Sequence, residues 1–173
     1  DFDYSDPLQR TEARKLVAEL FMGDNPEKDT KVFLEFLQSQ FEVDNEKRMG
    51  TNGYCMGGTL AIRSAAGFPD IVGAAASFHG GGLVTEKDNS PHLLIPRIKA
   101  NVLIAIASND DEREPETKDI LERTFQREEV IADIQVYEDA FHGWCVTDSS
   151  VYNQSKAEVA WKKLLQLYEK SLV

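Results

Sequence analysis

Six residues near the middle of the chain, Gly53-Tyr54-Cys55-Met56-Gly57-Gly58, set a cysteine between glycines where a short strand-like run meets a helical one. A G-x-nucleophile-x-G string in that setting makes a sharp strand-to-helix turn, here with cysteine in the place of serine. The turn is tight, and glycine is expected to be the only residue that fits two positions either side of Cys55, at Gly53 and Gly57. Cys55 is thereby lifted off the sheet onto the N-terminus of the next helix. That position favours a thiolate, and the Met56 amide can donate to an oxyanion. The alternatives are a close-packed glycine turn, with Cys55 a small buried hydrophobe, or a phosphate loop. A dinucleotide fingerprint needs G-x-G-x-x-G and a phosphate loop needs a lysine; neither is present, so Cys55 is read as a nucleophile.

A cysteine nucleophile of this type needs a histidine within hydrogen-bond reach and a carboxylate to fix the histidine tautomer. The chain has three histidines. His142 lies in Ala140-Phe141-His142-Gly143-Trp144, beyond one strand-like run and before the last helix, and is the candidate base. The acid should follow the apolar run 102–107, where Ser108-Asn109-Asp110-Asp111 offers two carboxylates. Counting from the strand end selects Asp110; counting back from Pro115 selects Asp111. A strand end fixes geometry more firmly than a proline in a variable loop, so Asp110 is preferred and Asp111 is kept as the alternative.

His79, in Ser77-Phe78-His79-Gly80-Gly81, ends another strand-like run and so reaches the carboxyl edge of the sheet, where ligands bind. With Tyr54 and Trp144 it is expected to line the substrate pocket. His92, beside Pro91, reads as loop surface. Cys145 is three residues from His142, but a His-x-x-Cys pair without further ligands is poor evidence for a metal, and Cys145 is read as packing. Neither a metal nor a cofactor is expected.

These residues need elements to hold them. Asp6, Pro7 and Gln9 start a first helix with an acid-x-x-Gln box; Ala13, Leu16, Val17, Leu20 and Phe21 recur at helical spacing until Gly23. Asn25-Pro26 repeats the start signal ahead of a stripe of Val32, Phe33, Phe36 and Leu37. Strands are predicted over 49–52, 71–78, 102–107 and 131–137, the second and third as runs covered on both faces. Helices are predicted over 57–66, around 120–125 and over 153–171, the last with Ala157, Ala160, Trp161, Leu164 and Tyr168 on one face; Glu112 to Glu116 read as a solvated helix start. Alternating strands and helices imply an α/β fold with a mainly parallel sheet covered on both faces.

At 173 residues the chain suits one domain, taken as 1–173. Thirty acidic residues against 19 basic give a net charge of −11, which disfavours nucleic acid and anionic membranes. No apolar run approaches membrane-spanning length. Two cysteines fit a reduced, cytoplasmic setting better than a disulfide framework.

The strings Gly53-Tyr54-Cys55-Met56-Gly57-Gly58, Ala107-Ser108-Asn109-Asp110 and Phe141-His142-Gly143-Trp144 together resemble the dienelactone hydrolase family of α/β-hydrolases. The resemblance implies a Cys-Asp-His hydrolase of small esters or lactones, with Cys55 attacking, His142 moving the proton and Asp110 orienting His142. It also implies the chain order nucleophile, acid, histidine, which these residues follow. Family members carry more residues before the elbow than the 54 here, including first strands, a second oxyanion donor and a glutamate that holds the cysteine. The chain is therefore expected to be the C-terminal portion of such a domain, with an unpaired edge beside the elbow strand through which a homo-oligomer could form. Members acting on dienelactones keep an arginine shortly after the base. Gly143, Trp144, Cys145 and Val146 stand there instead, and Trp144 points to a more apolar acyl or alcohol group. The competing functions are a non-catalytic ligand- or partner-binding module of the same fold, and a cysteine acyltransferase.

Overall fold

The computed structural model describes residues 3, 5–21 and 23–172, in two units, Asp1–Val43 and Asp44–Val173. In the first unit Asp6 caps α1 (Pro7–Leu20), its carboxylate accepting the Leu8 amide at 2.8 Å. Gln9 donates to the same carboxylate at 3.1 Å, and its own side-chain oxygen accepts the Asp3 amide at 3.0 Å. The return arm of the box thus reaches Asp3 rather than the cap residue. Gly23 takes a left-handed φ of 56° before α2 (Asn25–Gln38). The apolar stripes stay largely open: Ala13, Pro26 and Leu34 are buried, whereas Val32, Phe33 and Phe36 are 61 to 66% exposed.

The second unit rests on four parallel strands in chain order across the sheet: β1 (Met49–Tyr54), β2 (Val72–Phe78), β3 (Asn101–Ala107) and β4 (Ala132–Tyr137). The central β2 and β3 are apolar runs buried almost throughout, while β1 and β4 alternate as sheet edges do. Parallel neighbours need crossovers. Here α3 (Met56–Gly67) joins β1 to β2, and a short 3-10 helix (Pro91–Arg97) lies between β2 and β3. Two helices, α4 (Ser108–Arg113) and α5 (Glu116–Arg127), join β3 to β4, and α6 (Gln154–Ser171) closes the chain.

The core forms two layers. On one face Ile62, Ala65, Ile95, Leu121 and Phe125 pack against Val72, Val102 and Ile104. On the other, Ala160 and Leu164 of α6 pack against Ala76, Phe78, Leu103 and Ala105. Burying Leu164 alone contributes about 2 kcal/mol. Trp161, expected on that face, is 53% exposed. It follows Ala160 by a 100° turn and so lies at the margin of the stripe. His92 is also corrected: it is half-buried on the 3-10 helix, its Nδ1 2.7 Å from the Oγ of buried Ser90.

Candidate active site

Cys55 sits between β1 and α3 with φ 52° and ψ −122°, a left-handed turn that carries its side chain out to solvent. Its amide donates to the Phe78 carbonyl at 3.0 Å and to His79 Nδ1 at 3.2 Å. A Cβ at Gly53 would overlap the Gly57 carbonyl, and one at Gly58 would run into Ser77 Oγ. At Gly57 it would meet nothing within 4 Å. The steric demand for glycine therefore falls on Gly53 and Gly58, not on Gly57 as the motif spacing suggested. Met56 opens α3, so its amide has no carbonyl one helical turn earlier.

His142 follows β4 and meets Asp110, which sits in the first turn of α4 just past β3. Nδ1–H donates to Asp110 Oδ2 at 2.6 Å, which leaves Nε2 as an acceptor. Arg113 Nη2 donates to the other oxygen of the buried Asp110 at 3.0 Å. Two further bonds stitch these loops together. The His142 amide donates to Asn109 Oδ1 at 2.8 Å, and the Ser108 amide to the Ala140 carbonyl at 2.9 Å. Asp111, the alternative acid, makes no hydrogen bond to His142 among the described residues.

His79 and Trp144, expected to line the substrate pocket, are 2% and 0% exposed. The His79 ring lies 4.8 Å from His142 and 5.1 Å from Trp144, and Trp144 stacks on Tyr137 at 5.1 Å. Burial, reinforced by the nearby His142, pushes the pKa of His79 down to about 4. Tyr54 is 38% exposed and stacks on Phe78 at 5.1 Å. It lines a cavity of about 170 Å³ with Tyr152, Glu158 and Trp161. Cys145 lines the same cavity, and burial pushes its thiol up to about 12, in keeping with a packing role.

Among the described residues no hydrogen bond joins the Cys55 thiol to His142; His79 touches both residues. Nor do the described residues hold a group of three or more His, Cys, Asp or Glu suited to a metal ion. No described helix is long and apolar enough to cross a membrane. Sequence reasoning missed Asn109 and Arg113. Both flank Asp110, and Arg113 stands three residues on, the spacing of neighbours on a helix face. That signal becomes readable only once 108–113 is known to be helical.

Parallel strands in chain order, helices on both faces and a left-handed residue at the strand-to-helix elbow are the architecture of the α/β-hydrolases. Within that class the chain belongs to the dienelactone hydrolase family, whose model matches residues 3–172. It is 26% identical over 165 residues to Protein usf of Aquifex pyrophilus, covering 93% of this chain and 68% of that one. Over 162 residues it is 26% identical to a protein of Aquifex aeolicus provisionally named carboxymethylenebutenolidase, covering 91% and 67%. Among solved structures it resembles a dienelactone hydrolase-like promiscuous phosphotriesterase from metagenomic libraries. The TM-score is 0.78 at 20% identity, over 93% of this chain and 67% of the other. The chain thus spans about two thirds of the length of these relatives.

Proposed function

We propose that the chain carries the catalytic triad of a hydrolase of small carboxylic esters or lactones, with Cys55 as nucleophile, His142 as base and Asp110 as the orienting acid. The observation that carries this reading is the bond from His142 Nδ1 to buried Asp110, at the strand edge where Cys55 sits on its elbow. Family membership supports the ester and lactone chemistry. In the first half-reaction His142 Nε2 takes the thiol proton and the sulfur attacks the substrate carbonyl. The Met56 amide faces the oxyanion that develops. Collapse expels the alkoxide, which takes the proton from His142, and leaves a thioester on Cys55. Water, giving its proton to His142, then attacks the thioester; the acid departs and the thiol is restored. The thiol-to-imidazole contact belongs to the substrate complex, since catalytic hydrogen bonds often tighten only then.

The cavity beside Tyr54, next to Cys55 in the chain though not lined by the triad residues, is our candidate for a neutral, apolar acyl or alcohol group. Tyr152 and Trp161 give it aromatic walls, and Glu158 opposes a substrate carboxylate. The test is turnover of p-nitrophenyl acetate and a simple lactone, beside Cys55→Ala, with mass spectrometry following acylation. Turnover lost in Cys55→Ala, with an acyl adduct on Cys55, is expected. A folded chain that neither acylates nor turns over would favour the non-catalytic binding module instead.

A further inference from the structure

Each strand of the sheet delivers one polar residue to the same edge: Cys55 after β1, His79 after β2, Asp110 after β3 and His142 after β4. Strands of β1 and β4 are three spacings apart, roughly 14 Å. For His142 to approach Cys55, the loops after β3 and β4 must lean back over the end of β2. Whatever residue ends β2 is caught underneath, and that residue is His79.

Its backbone is bent for the purpose. His79 has φ 40°, a conformation uncommon for non-glycine residues though one that histidine shares with asparagine and aspartate more than most, while its amide stays bonded to the Ala105 carbonyl at 2.8 Å. Nδ1 accepts the Cys55 amide at 3.2 Å, and the ring packs on His142 and Trp144. An accepting Nδ1 places the ring proton on Nε2, which is buried without a partner among the described residues. The titratable groups around the ring are Cys55, Tyr54, His142 and, acting through its charge, Asp110.

We propose that His79 is a positioning residue of the nucleophile: its unprotonated Nδ1, beside the Phe78 carbonyl, holds the Cys55 amide in the left-handed elbow. A proton on Nδ1 would set two N–H donors against each other and leave the amide to the Phe78 carbonyl alone, so this contact requires the neutral ring. The inference rests on the triad reading above for its effect on turnover. Its effect on the reactivity of Cys55 stands apart from that reading.

The test compares His79→Leu, which removes the acceptor, with His79→Asn, which keeps one and tolerates the left-handed backbone. His79→Gly, acceptor-free but at ease in the same turn, replaces the leucine variant should that fail to fold. Two quantities are read on chains with a cooperative thermal transition. One is the pH profile of Cys55 alkylation by iodoacetamide, followed by mass spectrometry; the other is kcat and KM on p-nitrophenyl acetate. The acceptor-free variant is expected to shift the alkylation profile and to lower kcat about tenfold, as loss of one hydrogen bond implies, with KM nearly unchanged. The asparagine variant is expected to recover most of both. A folded acceptor-free variant with the wild-type alkylation profile overturns the proposal. So does an asparagine variant as impaired as the acceptor-free one, since the ring's bulk would then be what matters. A wild-type chain that is alkylated normally but hydrolyses no ester would remove the hydrolase reading while leaving the alkylation comparison decisive for His79.

Discussion

Asp110 is shared between an imidazole and a guanidinium: its Oδ2 accepts His142 Nδ1 at 2.6 Å and its Oδ1 accepts Arg113 at 3.0 Å. Among the described residues its neighbour Asp111, one residue on, makes no hydrogen bond to the histidine. Asp110→Asn should therefore reverse the tautomer preference of His142 and lower kcat on the order of 10³- to 10⁴-fold. Asp111→Asn should stay within a few-fold of wild type. Steady-state kinetics of the two variants decide the matter, and a larger loss from Asp111→Asn would reassign the acid.

The three glycines of the elbow should respond differently to a methyl group. Gly53→Ala meets the Gly57 carbonyl and Gly58→Ala meets Ser77, so each should destabilise the fold by about 2 kcal/mol or more. Gly57→Ala meets open space within a helix and should be neutral or stabilising by up to about 1 kcal/mol. Urea unfolding of the three variants measures this. Equal losses at all three positions would contradict the geometry.

Stability should also carry the signature of a histidine that refuses a proton. The ordinary pKa of 6.5 falls to about 4 for His79 in the fold. Between those values the unfolded chain binds a proton that the native one does not. The associated stability is thus fully present above pH 6.5 and drains away as the pH falls toward 4, on the order of 3 kcal/mol in all. Unfolding free energies at pH 7 and 4.5 should differ less in His79→Asn than in wild type, by about 2 kcal/mol over that window. Parallel losses in the two proteins would mean that His79 protonates freely.

Of the two thiols, only one should be available. Cys55 is exposed, whereas burial pushes the Cys145 thiol up to about 12. Brief iodoacetamide treatment at pH 7 should give a single adduct on Cys55, and a second adduct on Cys145 only after unfolding. Peptide mapping reads this directly; prior labelling of Cys145 would refute it.

Much of the sheet could be read from the chain because its signals are local. Buried parallel strands are written as mostly apolar runs, as in Val72–Phe78 and Asn101–Ala107, and a strand-to-helix elbow announces itself through glycine. What escaped depended on contacts between distant residues. Helix α4, Ser-Asn-Asp-Asp-Glu-Arg, has no apolar period to betray it and is held instead by the stitch from Asn109 to His142. The 3-10 helix is masked by Pro91 and Pro96. Periodicity in α1 and α2 gave the helices but not the burial of their stripes, because spacing says which residues share a face and not what covers it. The depth of His79 and Trp144 was not legible either, since burial at a strand's end is set by loops that follow other strands, which no run of residues encodes.

On the proposed triad, the order in which successive strands deliver their residues has a consequence for how the molecule comes into being. A ribosome adding roughly 5–20 residues per second releases the elbow thiol several seconds ahead of its histidine, some ninety residues later. Throughout that interval the nascent chain exposes a cysteine with no base to activate it. On the proposed triad the ester chemistry arrives last, with β4 and the loop behind it, although the bare thiol is open to alkylation from the start.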